Sequence, residues 1–316
     1  MSKQKIFNRK NFWGNCRVVV DKIVPKTSFL YKLMYLKALE FTSNKRNLRR
    51  TKLRFDVSVV DSCNLNCVGC AAFSPLCKDI FLEISSFEKD IKRIGELSNG
   101  EIEYLRLSGG EVLQHPNLID FFEISRKHLK KGEISLITNG ILLNKQSEDF
   151  WKSCKDNDIK IYITPYPIKL DFEEIIEIAK RYLVSLEWFS VGDKVSFMKL
   201  PLKLPLSVKE DIDINKNIDI NKNFKRCANS NTCVVLRGGR IYACGTPSVI
   251  KYFNEYFGQD FKVTEKDYIN IYEVKSMDEI LDFVCKPIQF CRYCDIDNMK
   301  FGIPWRISKK EINEWV

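Results

Sequence analysis

Between about residues 53 and 190 the hydrophobic pattern switches back and forth between strand and helix periods, and this alternation limits the folds open to the chain. Runs rich in β-branched and aromatic residues, Arg54–Val60, Ile102–Leu107, Glu133–Thr138, Ile159–Thr164 and roughly Ser185–Val191, read as strands. Helical patterns lie between them, near 85–98, 117–130, 147–156 and 171–182, with Asn99-Gly100 and Asn139-Gly140 as cap or turn signals. Such alternation builds βαβ units around a parallel sheet. Five or six units are too few for a closed eight-stranded barrel, so the expected architecture is α/β, an open, partial (β/α)6-type barrel. Folds of this kind place their chemistry at the carboxyl ends of the strands.

Three motifs fall at those ends. Asp61-Ser-Cys63-Asn-Leu-Asn-Cys67-Val-Gly-Cys70 follows the first strand, Gly109-Gly110-Glu111 the second, and Thr138-Asn139-Gly140 the third. Thiolates are the preferred ligands of iron–sulfur clusters. Three on one short loop can hold three irons of a [4Fe–4S] cube and leave the fourth open to a small chelating ligand. The competing reading is a zinc loop, which wants a fourth ligand, and only Cys77 stands near. His115 and His128 are the only histidines, which argues against multi-histidine metal sites and most histidine acid–base schemes.

The net charge of +10 is unevenly placed. Residues 1–50 hold thirteen Lys and Arg against Asp21 and Glu40, a net of +11, so the rest of the chain sums to −1. Within them Phe29, Leu30, Tyr31, Leu33, Met34, Tyr35, Leu36, Leu39 and Phe41 alternate with Lys32 and Lys37, and Thr27-Ser28 would cap a helix from about 29 to 41. A basic, apolar helix either packs on the body with its lysines solvated or makes peripheral contact with an anionic membrane. Nucleic acid is not expected, because no recognition motif accompanies the charge. No apolar run reaches the roughly 18 residues that span a bilayer. Twelve cysteines without a signal peptide read as reduced, cytoplasmic thiols serving as ligands, with the inner face of the membrane as the place of any peripheral contact.

Residues 195–225 lack periodicity and contain a duplicated polar hexamer, Ile212–Asn217 and Ile218–Asn223, which reads as a linker or expanded loop. The expected organisation is therefore a basic helical extension over 1–52, the barrel over 53–194, the linker, and a small cysteine-rich module over 226–316. In that module a Gly238-Gly239 turn pairs Arg237 with Arg240, Leu236 with Ile241 and finally Cys233 with Cys244, so the two thiols face one centre. Cys227 enters just before, and Cys291-Arg-Tyr-Cys294 supplies a CxxC. A structural zinc ribbon and a second iron–sulfur cluster both fit. The module alone favours zinc; beside the first triplet it favours iron–sulfur. Cys285, ending a helical run, and Cys154, beside Phe150 and Trp151, look like packing residues.

CxxxCxxC after the first strand with GGE after the second resembles the radical S-adenosylmethionine (radical SAM) superfamily over roughly residues 53–190. The region from 226 on is similar to its auxiliary-cluster modules, of SPASM or the shorter twitch type. The resemblance implies that Cys63, Cys67 and Cys70 ligate a [4Fe–4S] cluster whose open iron binds S-adenosylmethionine. It implies that Gly109, Gly110 and Glu111 receive the methionine amino group, with Glu111 as acceptor, and that Thr138 and Asn139 lie near the ribose. One electron from the cluster would then give methionine and a 5′-deoxyadenosyl radical that abstracts a substrate hydrogen. An external donor such as flavodoxin or ferredoxin would supply the electron. The superfamily usually has an aromatic residue before the third cysteine, where this chain has Gly69, which puts adenine packing in question. Five candidates, Cys227, Cys233, Cys244, Cys291 and Cys294, for four positions point to one auxiliary [4Fe–4S] cluster of twitch type. Cys77 is the best-placed spare thiol for returning a hydrogen in an epimerisation. The substrate expected is a carbohydrate, oxidised or epimerised and tied to surface polysaccharide. A peptide-modifying maturase is the alternative reading, and a non-catalytic electron-transfer protein a further one.

Overall fold

The structure is a computed structural model that describes residues 29–189, 196–197, 200, 202, 204, 219–300 and 302–316. Helix α1 (Phe29–Arg46) leads, followed by β1 (Arg54–Val60), α2 (Ile84–Ser98), β2 (Glu101–Gly109), α3 (Leu118–His128) and β3 (Lys131–Thr138). Next come α4 (Glu148–Asp156), β4 (Ile159–Ile163), α5 (Phe172–Arg181), β5 (Leu186–Trp188) and the short β6 (Ser196–Phe197). The cysteine-rich part holds α6 (Ile220–Arg226), a hairpin of β7 (Val235–Arg237) and β8 (Arg240–Tyr242), α7 (Gly245–Phe257), β9 (Tyr268–Asn270), α8 (Met277–Val284) and β10 (Ile303–Pro304).

Strands β1 to β5 are parallel neighbours, each reached through a helix, as the alternation requires. Phe55, Val57 and Val59 turn towards the helices and are buried, while Arg54, Asp56 and Ser58 alternate onto the inward face. Helix α2 answers with Phe87, Ile91 and Ile94 on one stripe and ends at Asn99 in the left-handed region. The main sheet does not stop at β1. Strand β7 adds to its other edge, also parallel, with Asp56 opposite Val235, and β8 and β9 continue antiparallel, giving the order β5-β4-β3-β2-β1-β7-β8-β9. Leu236, Ile241, Phe253 and Phe290 from the cysteine-rich part join one core with Phe55, Leu105 and Leu136.

Strand β5 is shorter than its sequence pattern, and residues 190–195, where its expected end falls, lie outside the described residues. So do Thr27-Ser28 and the first copy of the polar hexamer. The second copy is not simply loop: Asp219 accepts from the amides of Asn221 and Lys222 and caps α6. Helix α1 runs to Arg46, five residues beyond the expected end. Its inner face packs Tyr31, Tyr35 and Leu39 against Ala228, and Leu36 against Cys227, Cys294, Ile296 and Met299. Its outer face leaves Phe29, Leu30, Leu33, Met34 and Phe41 exposed. Among the described residues no helix is long and apolar enough to cross a membrane.

Candidate functional site

The loop after β1 carries Cys63, Cys67 and Cys70, and their sulfurs lie close enough for mutual charge repulsion. Burial first, then the Glu111 charge and the neighbouring thiolates, push Cys63 up to about 12; burial, then Cys70, push Cys67 up to about 11. The Gly109-Gly110 segment after β2 lies hard against this loop. Gly110 N–H donates to Val60 O at 2.7 Å and Glu111 N–H to Ser62 O at 3.0 Å. A Cβ at Gly109 would fall 2.1 Å from Val60 O, and one at Gly110 would fall 1.8 Å from Ser62 O. Only glycine permits this approach, and the sequence places it there.

Glu111 is fully buried. Its Oε1 accepts from Thr138 Oγ1 at 2.6 Å and Leu113 N at 3.1 Å, and its Oε2 accepts from Asn139 N at 2.9 Å. Burial raises its carboxyl above the ordinary range against these three donors. Glu111, expected to receive an amino group, has both carboxylate oxygens engaged here, and the side chain staples the second and third rim motifs together. Asn139 completes the connection, its Nδ2 donating to Asn64 Oδ1 at 2.8 Å and lying 3.8 Å from Cys63 Sγ. Cys77 is half-buried near Asp61 and Cys70; burial, then the Asp61 charge, push its thiol up to about 11.

A segment that sequence reasoning left out closes the loop from outside. Val68 N–H donates to Arg306 O at 3.0 Å and Ser308 N–H to Asn66 O at 2.8 Å, with a bridge between Cys67 and Ile307. Trp305 Nε1 donates to Cys67 Sγ at 3.1 Å, and Trp315 Nε1 to Cys70 O at 2.9 Å. The Tyr166 hydroxyl is also hydrogen-bonded to Cys67, its ring 6.1 Å from that of Trp305. Gly69 has φ +60°, and a Cβ there would stand 3.0 Å from Glu314 O. An aromatic residue at 69 would strain the backbone and meet the tail. The readable signal was two tryptophans in an otherwise polar, basic segment.

The second cysteine group assembles around the β7–β8 hairpin. Cys227 ends α6, and Asn223 from the same helix donates to Cys291 O at 3.1 Å and Cys294 O at 2.6 Å, fastening the CxxC beside it. Cys233 Sγ would lie 3.1 Å from a Cβ at Gly245, the residue after Cys244. Burial, then neighbouring thiols, push Cys244 up to about 11 and Cys291 up to about 12. Cys294 is raised by burial and by Cys227, Cys244 and Cys291. Cys227 is raised to about 11 and Cys233 to about 12, burial again leading. All five expected thiols thus share one neighbourhood. Cys154 lies sealed in the barrel core, and Cys285 caps the C-terminus of α8, its thiol donating to Asp282 O. Among the described residues no three His, Cys, Asp or Glu side chains converge as a single metal ion would need; a four-iron cube takes its thiolates at separate corners, farther apart. The sulfur-only donor sets and the glycine cradle fit such a group at the first site, and the five thiols fit one at the second.

Residues 57–191 match the family profile described as the radical SAM superfamily, and this stretch of the chain is a radical SAM domain. Among curated proteins the chain is 33% identical over 97 residues to GTP 3′,8-cyclase of Desulforamulus reducens, covering 31% of this chain and 30% of that one. It is 28% identical over 110 residues to the GTP 3′,8-cyclase of Thermodesulfovibrio yellowstonii, covering 34% of each. The match thus spans about a third of these relatives. Among solved structures, anSMEcpe with bound AdoMet shares 15% identity at a TM-score of 0.43, over 77% of this chain and 89% of that one. BtrN in complex with AdoMet and 2-DOIA shares 16% identity at 0.44, over 79% and 94%.

Proposed function

We propose that this chain is a radical SAM enzyme that abstracts a hydrogen atom from a carbohydrate, in an oxidation or an epimerisation. The observation that carries the radical chemistry is the packing of Cys63, Gly109-Gly110 and Asn139 against one another on a single rim. Cys63, Cys67 and Cys70 would hold a [4Fe–4S] cluster which, with S-adenosylmethionine bound, would supply one-electron reductive cleavage and so the hydrogen abstraction. The chain orients the cofactor. Gly109 and Gly110 bring backbone within reach of the methionine end, Glu111 holds that segment to Thr138 and Asn139, and the tail keeps water from the Cys67 side. Cys227, Cys233, Cys244, Cys291 and Cys294 supply the thiols for one auxiliary [4Fe–4S] cluster, and Cys77 is a thiol within reach of the first site. An external flavodoxin- or ferredoxin-like protein delivers the electron. The domain limits fall at 52, 194 and 225.

The substrate class is supported by the inward sheet face. Asp56, Arg106, Ser135 and Lys160 stand in register across β1 to β4. Arg106 is anchored on Asp56 at 2.7 and 3.0 Å, and Lys160 on Glu133 at 2.7 Å. The Arg106 guanidinium lies 4.6 Å from the Tyr104 ring centre and 5.7 Å from that of Phe189. Ser135 Oγ is buried with no partner among the described residues. Paired charges, an unpartnered hydroxyl and aromatic faces suit a neutral, hydroxylated ring better than a free anion. The outer stripe of α1 with Lys32, Lys37 and Lys45 suits peripheral contact with an anionic membrane at the cytoplasmic face.

Anaerobic reconstitution with iron, sulfide, dithionite and S-adenosylmethionine tests the reading. The wild type releases 5′-deoxyadenosine; a wild type no better than Cys67→Ala defeats it. A family of peptide substrates, turned over where sugars are not, would move the reading to a maturase.

A further inference from the structure

Cys67 receives on its sulfur a shorter hydrogen bond, from a donor farther off in sequence, than Cys63 does. The Trp305 indole N–H reaches it at 3.1 Å across 238 residues, and Tyr166 stands beside Trp305. The contact is built. The backbone on both sides of Trp305 is tied down, behind it by the pairing of Ile303 with Phe197 and ahead of it by Arg306 O and Ser308 N bonding the cysteine loop itself. Glu314, buried, receives Ser308 Oγ, the Lys309 amide and Arg306, so the strap is closed on itself. The indole is therefore held on the sulfur by structure on two sides. By contrast, Cys63 Sγ receives the amide of its own loop, Leu65, at 3.4 Å, and the Asn139 amide at 3.8 Å.

An N–H dipole aimed at a ligand sulfur stabilises the extra negative charge that reduction adds, so such bonds raise a cluster's reduction potential. We propose that Trp305 is a positioning residue that sets the reduction potential of a cluster held by Cys63, Cys67 and Cys70, and that Tyr166 contributes in the same direction. The proposal rests on the cluster reading given above. It assigns the tail an electronic role, and it makes the ease of the one-electron step depend on residues far outside the cysteine motif.

The test is an anaerobic redox titration of the reconstituted full chain, followed by electron paramagnetic resonance, with iron and sulfide determined first. Trp305→Phe keeps the aromatic bulk and removes the N–H; Tyr166→Phe removes the hydroxyl; Trp315→Phe removes an indole N–H that serves the Cys70 carbonyl and no sulfur. Trp305→Phe and Tyr166→Phe each shift the first cluster to more negative potential at unchanged iron content, and the pair together shifts it further. Trp315→Phe leaves it in place. An unchanged or more positive potential in Trp305→Phe overturns the proposal. A Trp315→Phe shift as large as that of Trp305→Phe also overturns it, because packing of the tail rather than the hydrogen bond to sulfur would then be responsible. Should Trp305→Phe fail to load iron, Tyr166→Phe, acting on the same sulfur, decides by the same criterion. A wild-type chain that takes up no iron overturns the cluster reading itself, and the role of Trp305 with it.

Discussion

Arg237 grips Asp61 with two hydrogen bonds, Nη1 to Oδ1 at 2.9 Å and Nη2 to Oδ2 at 2.5 Å, across 176 residues of sequence. Asp61 stands two residues before Cys63, and Arg237 begins the turn of the hairpin that carries Cys233 and Cys244. Tyr252 from α7 and Ser58 from β1 also donate to the same carboxylate. The two cysteine sites are thereby joined through one buried anion. Removing Arg237 leaves that anion without its cation, so Arg237→Met should cost about 3 kcal/mol of stability. Asp61→Asn/Arg237→Met should recover part of the loss. Chemical denaturation of the three chains measures both, and equal stability of wild type and Arg237→Met would refute the coupling.

Gly110→Ala places a methyl group 1.8 Å from Ser62 O, a distance no side-chain motion relieves. The second rim motif must withdraw from the cysteine loop. S-adenosylmethionine affinity, read by equilibrium dialysis on the reconstituted protein, should fall by at least about tenfold, or about 1.4 kcal/mol. A cooperative chemical denaturation of Gly110→Ala controls for general loss of fold.

Acid should release the tail strap. Burial alone would raise the Glu314 carboxyl, but donation from Ser308, the Lys309 amide and Arg306 outweighs it and holds the group below its ordinary value. A carboxyl depressed in the folded state stabilises fully above its unfolded value, about 4.3, and that contribution is lost as pH falls through the folded value. Protease protection of residues 302–316 should thus persist to just below pH 4.3 and then fail. In Glu314→Gln the protection should be weaker and flat over the same interval.

The outer stripe of α1 should bind anionic vesicles. Leu33→Glu with Phe41→Glu changes two exposed positions, so stability should move by no more than about 0.5 kcal/mol per site. Flotation with phosphatidylglycerol vesicles should drop more than about tenfold, since each inserted side chain contributes about 1.5–3 kcal/mol. Equal flotation of the variant and the wild type would remove the stripe from the membrane reading.

How much of this was legible in sequence follows the range of the interactions. The strand Arg54–Val60 and the helix over 84–98 were readable because a single face repeats with a local period. The pairing of Arg237 with Arg240 was readable because Gly238 and Gly239, both at positive φ, fix the register of their own hairpin. Rim motifs after β1, β2 and β3 were readable for the same local reason. The attachment of β7 to the open edge of β1 was not, since nothing in Val235–Arg237 names its partner strand. Nor was the enclosure of Glu111, whose donors Thr138 and Asn139 lie 27 and 28 residues on. Trp305 and Trp315 escaped notice because their acceptors, the sulfur of Cys67 and the carbonyl of Cys70, lie 238 and 245 residues away.

Those separations carry a consequence for biosynthesis. The cysteine loop leaves the ribosome long before the residues that close over it, and the domain holding it can collapse in the meantime. For that interval, at about 5–20 residues per second, the loop stands unlatched for many seconds. Metal delivery to a chain of this design has a natural window, open during translation and narrowed once Trp305 and Trp315 arrive. A nascent chain stalled before residue 302 would be the form most accessible to a cluster-delivering partner, and also the most exposed to oxidants.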